Sequence, residues 1–204
     1  MRVNQNNRSV NLTNHPGCLL GFGLFWVAFS TVFVVIGLKD ENVPFAIFGG
    51  LFVLIGVGMV GYGLLSLYTR ARIGKPDVNV SSKLLCVGEP FSLSYVHTFQ
   101  QAVRVDEIVV QLVFKETAVY QRGTDTKTVT HEEIVAEFRE PGRHFQAGNL
   151  LSNAYSLQIP PDGMHSLDVR RNKLEWFLRL RMSVPRLPDF VEQIPLTVRP
   201  ELVP

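Results

Sequence analysis

Cysteine is nearly absent: Cys18 and Cys86 are the only two among 204 residues. Two thiols at distant positions make no disulfide framework, and they cannot close a thiolate zinc site unaided. Common catalytic signatures are missing as well. There is no G-x-x-x-x-G-K-[ST], no G-x-G-x-x-G opening a helix, no H-E-x-x-H and no G-x-S-x-G. Gly21-Phe22-Gly23 and Gly56-Val57-Gly58 lie inside apolar runs, where they cannot cradle a phosphate. Neither a catalytic residue nor a bound metal or cofactor is therefore expected. An excess of positive charge is also lacking. Of 20 Lys and Arg, only Arg2, Arg8, Lys39, Arg70 and Arg72 precede Ile73, together with Asp40 and Glu41 of the 18 acidic residues. The remainder holds 15 basic against 16 acidic side chains. Nucleic-acid binders carry a basic excess, so nucleic acid is not an expected partner.

The most consequential absence is local. No Asp, Glu, Lys, Arg or His occurs from Cys18 to Leu38, nor from Val43 to Thr69. Each run has about 20 or more residues, enough at about 1.5 Å per residue to cross a hydrocarbon layer of about 30 Å. A water-soluble helix would show a polar face every three to four residues, and neither run does. A cleaved secretory signal has a shorter apolar region of about 7–15 residues. The expectation is an integral membrane protein with a two-helix transmembrane hairpin over 17–70, its spans near 18–38 and 44–68. A polar tail, 1–16, precedes it and a juxtamembrane linker, 71–76, follows. The lipid bilayer is the first partner.

Basic residues orient such hairpins. Arg2 and Arg8 lie before the first span, Arg70, Arg72 and Lys75 after the second, and Lys39 alone in the loop. Both termini are expected in the cytoplasm, in a plasma or inner membrane, with Arg70, Arg72 and Lys75 at the lipid interface. The sequons at Asn11 and Asn79 then reach no lumen. Glycine marks helix packing. Gly49, Gly56 and Gly63 recur every seventh residue and form one stripe, and Gly17 and Gly21 make a G-x-x-x-G. Small residues let helix backbones approach in lipid. The stripe predicts close packing of the two helices and leaves room for a homo-oligomer through them.

From Ile73 onward the period becomes two. Phe91, Leu93, Tyr95, His97 and Phe99 alternate with Ser92, Ser94 and Thr98. Leu174, Trp176, Leu178, Leu180 and Met182 alternate with Glu175, Phe177, Arg179 and Arg181. These are strands with one face in a core. Turn signals at Gly88-Glu89-Pro90, Arg122 to Asp125, Pro141-Gly142, Pro160 to Gly163 and Pro185 to Asp189 separate about seven strands. Over 77–204 this pattern predicts an antiparallel, immunoglobulin-like β-sandwich.

"VNVSSKLLCVGEPFSLSYVHTF" followed by "RVDEIVVQLVFKETAVY" resembles the opening of an arrestin-like domain. "FQAGNLLSNAYSLQIPPDGMHSLDVRRNKLEWFLRLRMSV" resembles a later part of the same family. The resemblance covers Val78 to Val198 as one domain rather than the usual pair. It implies an arrestin-like sandwich and a binding role, and it transfers no contact residue.

His131-Glu132-Glu133 is the densest group of possible bases or ligands. With Glu137, His131 and Glu133 are expected to share one strand face, the arrangement a hydrolase of envelope components would need. A solvated strand face accounts for the same residues without any site. His97, on the apolar side of its strand, reads as a hydrogen-bonded core histidine. Arg170-Arg171-Asn172-Lys173 reads as a solvated basic turn. The function expected is a membrane-anchored adaptor or scaffold module, binding a protein of unknown identity and doing no catalysis. The alternatives are a structural subunit of a membrane complex and the hydrolase.

Overall fold

The computed structural model describes residues 16–123 and 125–200. The tail carrying Arg2, Arg8 and the Asn11 sequon, Thr124 of one expected turn, and residues 201–204 lie outside them. The chain divides into two compact units, with the boundary between Ala71 and Arg72.

The first unit holds two long apolar helices, α1 (Pro16–Lys39) and α2, which begins at Val43 and ends at Ile73, its last two residues counted with the second unit. The loop between them is closed by its own polar residues. Glu41 takes a left-handed conformation at φ 51° after α1, and the amide of Asn42 reaches back to the Gly37 carbonyl at 2.8 Å. Asn42 then caps α2, its Oδ1 accepting from the Phe45 amide at 3.2 Å. The four-residue charged break is thus a tight turn. At its far end α2 continues through Ile73, so half of the expected 71–76 linker is helical. Gly74, at φ +83°, stops it, in the left-handed geometry that glycine adopts without a Cβ clash.

The second unit is a β-rich domain. Its strands are β1 (Asp77–Val80), β2 (Leu84–Cys86), β3 (Pro90–Thr98), β4 (Val103–Arg104), β5 (Glu107–Arg122), β6 (Asp125–Pro141), β7 (His144–Phe145), β8 (Leu150–Gln158), β9 (Leu167–Asp168), β10 (Asn172–Ser183) and β11 (Phe190–Arg199). They form a three-stranded sheet β1-β3-β8, a larger sheet β2-β11-β10-β5-β6 with β9 beside β10, and the pair β4-β7. The alternation expected for "PFSLSYVHTF" is observed: Phe91, Leu93, Tyr95 and His97 are buried and their neighbours are not. Burying a side chain of leucine size contributes about 1.5–3 kcal/mol, and Leu93, Leu112, Leu178 and Met182 are all at most 2% exposed. Trp176, 2% exposed, donates Nε1–H to the Met164 carbonyl at 2.8 Å.

Two features depart from the expectation. The strands number eleven among the described residues rather than about seven. The larger sheet is mixed, because β2 runs parallel to β11. The short β2 leaves the sheet of β1 and β3 and joins the other, sinking Leu85 to 1% exposure.

Candidate functional site

In the helical unit, the glycine stripe of α2 lies against α1. A Cβ at Gly49 would stand 2.8 Å from the Val34 amide nitrogen, one at Gly56 2.7 Å from Val27 Cγ2, and one at Gly63 2.8 Å from Leu20 Cγ. The complementary small residues on α1 are Gly23, Ser30 and Gly37, all buried and again seven apart. A Cβ at Gly37 would stand 2.5 Å from the Ala46 amide nitrogen. Each helix offers a small residue where the other offers a larger one, which is how two backbones approach in lipid. Gly17 and Gly21 are elsewhere: a Cβ at either would meet nothing within 4 Å. The seven-residue spacing of Gly23, Ser30 and Gly37 was the sequence signal for this seam, and the G-x-x-x-G pointed away from it.

Of the three basic residues expected at the lipid interface, Lys75 is exposed and Arg70 is half-buried. Arg72 is drawn into the β-domain, where Nη2 donates to the Ala102 carbonyl at 3.3 Å.

His131, Glu133 and Glu137 do not share a face. The pairing of β5 with β6 sets Val113 opposite Ile134 but Leu112 opposite Ala136, so Val135 is an extra residue in β6. Such a β-bulge inverts the side-chain alternation beyond it. His131 and Glu133 stand opposite Glu116 and Phe114, whereas Glu137 stands opposite Gln111 on the other face. There Glu137 accepts from Gln111 Nε2 at 2.5 Å and from Arg139 Nε at 2.6 Å. These bonds, Gln111 first and Arg139 second, hold its carboxyl below the usual range. Arg139 also reaches Glu107 at 3.1 Å, and Arg179 pairs with Glu132 at 2.6 Å. The ion pairs lie on the sheet face that carries Val109, Val113 and Phe177, each at most 8% exposed. Arg179 rests 5.2 Å over the Phe177 ring, its stem covering apolar surface while its head stays wet. Of the carboxylates weighed for the hydrolase alternative, Glu137 thus belongs to a surface lattice of ion pairs. No group of three or more His, Cys, Asp and Glu among the described residues is placed to hold a metal.

A polar cluster that no local motif announces joins three strands. Tyr95 of β3, 0% exposed, donates its hydroxyl to Glu140 Oε1 of β6 at 3.3 Å, and Asn153 Nδ2 of β8 donates to Glu140 Oε2. Burial, above all, pushes the Tyr95 phenol well above its ordinary range, and the Glu140 charge adds to this. A cleft of about 410 Å³ opens beside the cluster, with Glu140, Asn153 and Arg143 as its polar lining and Ile108, Phe145 and Leu151 as its apolar one. Gly142 also borders it, and a Cβ there would collide with the backbone of Val105 and Asp106. Asn153 meets Tyr95 through the pairing of β8 with β3, and Glu140 reaches them from a strand of the larger sheet, which is why sequence spacing could not assemble them.

The most open part of the domain is the distal half of β6. It ends the larger sheet, with β5 its sole neighbour among the described residues. All ten residues from Asp125 to Ile134 are exposed, including Val129 at 45% and Ile134 at 51%. Strand β10 pairs with β5 as far as Asn172 opposite Ala118.

No protein-family model and no curated protein matches this chain. A solved structure with similarity to it is Spo0M, a sporulation control protein from Bacillus subtilis. That match has 15% sequence identity and a TM-score of 0.49, and it covers 61% of this chain and 48% of that one. The chain thus spans about half the length of the solved relative.

Proposed function

We propose that this protein is a membrane-anchored interaction module without catalysis. The hairpin crosses a bilayer twice, both termini are cytoplasmic, and the β-domain is an arrestin-like sandwich held at the membrane surface. The observation that carries the reading is the free edge of β6. Ten exposed residues at the end of a sheet present the unpaired backbone donors and acceptors to which a partner strand adds. Two helices, 24 and 31 residues long and free of charged side chains from Cys18 to Leu38 and from Val43 to Thr69, support the anchor. Tethering concentrates the domain near membrane-resident partners. The reading without catalysis is supported over the hydrolase alternative by the bulge that sets Glu137 on the opposite strand face from His131 and Glu133.

A photo-reactive residue in place of Thr128, in the full-length chain in its native membrane, tests the module. The expected result is a discrete protein adduct. A chain that gives no adduct at Thr128 but does so from Gly21 or Gly58, whose surroundings are open, is instead a structural subunit joined through its helices.

A further inference from the structure

We infer that the distal half of β6 is a self-complementary edge, and that its partner is the β6 strand of a second copy of this chain. The inference rests on the reading of β6 as the interaction edge and names the occupant. Two antiparallel copies of one strand are related by a twofold axis perpendicular to their sheet, so identical residues meet on the axis and side chains keep their faces. The exposed run Asp125–Ile134 has its midpoint beside Thr130, and the bulge at Val135 ends regular pairing on one side.

With Thr130 on the axis, Lys127 lies opposite the second copy's Glu133 and Thr128 opposite Glu132. Val129 lies opposite His131. Opposite charges therefore face one another twice and no like charges do, an arrangement that stabilises cross-strand pairs. The neighbouring registers fail this test. An axis at Val129 sets Asp125 against Glu133. An axis at His131 sets Glu133 against Val129 and leaves Lys127 opposite Val135. An axis at Glu132 places two copies of that carboxylate together. Charges on an edge strand ordinarily blunt it against pairing; here their order along β6 matches its own reverse. Glu132 is already fixed by Arg179 at 2.6 Å, so its charge is held in place rather than left to repel.

The test uses the full-length chain in membranes, with Cys18 and Cys86 replaced by serine. Cα atoms opposite one another across an antiparallel pair lie about 4.5–5.5 Å apart, within disulfide range. Mild oxidation of Thr130→Cys is expected to give a covalent dimer, and Thr117→Cys, one strand inward, is expected to give none. Lys127→Glu and Glu133→Lys should each reduce the Thr130→Cys dimer about tenfold through opposed like charges, and the two together should restore it. Recovery in the double variant separates pairing from misfolding. Absence of the dimer, or no recovery by the charge swap, overturns the inference. Heterologous adducts at Thr128 without a Thr130→Cys dimer overturn it while leaving the module reading intact. Absence of any adduct from β6 overturns both.

Discussion

His97 lies on the core side of β3 with 4% of its surface exposed, and Phe99 meets its ring edge-on at 4.6 Å. Its imidazole hydrogen-bonds the backbone of Ile73, the last residue of α2, while Nε2 is buried without a partner. Burial disfavours the imidazolium and lowers the folded-state pKa below 6.5, and the Ile73 bond opposes this more weakly. The unfolded chain then binds the proton more readily than the folded one. The His97 contribution is therefore fully present above pH of about 6.5 and is lost as pH falls toward the folded value. Thermal unfolding of the full chain in detergent should show a midpoint that drops on acidification through this window. His97→Gln, which keeps a donor for the Ile73 backbone but cannot titrate, should flatten the drop. A wild-type midpoint that rises on acidification would contradict the assignment. The histidine was legible in the sequence as a core residue because it falls in phase with Phe91, Leu93 and Tyr95. Its bond to the end of α2 was not, since 24 positions separate the partners.

Between α1 and α2 the heptad spacing of small residues sets the packing. Gly56→Leu puts a branched side chain where even a Cβ would stand 2.7 Å from Val27, and the helices must separate. Gly58→Leu enters open space. Disulfide cross-linking between cysteines introduced at Leu20 and Gly63 should accordingly fall sharply in Gly56→Leu and stay unchanged in Gly58→Leu; equal cross-linking in both would show that the stripe does not hold the hairpin. The α2 half of this seam was readable from spacing alone. The α1 half was obscured because Ser30 interrupts the glycines, leaving Gly17 and Gly21 as the more conspicuous motif. A similar masking occurs in β6. Strict alternation places His131, Glu133 and Glu137 together, and a single extra residue, Val135, moves Glu137 to the opposite face. Nothing in "HEEIVAEFRE" marks that bulge, because it arises from pairing with β5. The Tyr95–Glu140–Asn153 cluster was hidden because its members come from two different sheets.

Across the whole chain, apolar surface is distributed unevenly. Among the described residues, twenty large apolar side chains are exposed on the two helices, Leu38 and Leu54 at 68% among them, against eight in the entire β-rich part. Removing each from water is favourable by about 1.5–3 kcal/mol when burial is complete, so water is a poor solvent for the hairpin and hydrocarbon a good one. The β-rich part hides its own apolar residues and leaves β6 open. This division of labour was plain in the sequence, since the absence of charge needs no tertiary information to be read. Strand order was not, because the parallel β2–β11 pair and the exposed β6 edge depend on how the chain crosses between sheets. Alkaline carbonate extraction of membranes containing the full-length protein tests the anchor most directly. The chain should remain entirely in the membrane pellet and enter solution only with detergent. Its recovery as a stable monomer in the detergent-free aqueous fraction would contradict the account.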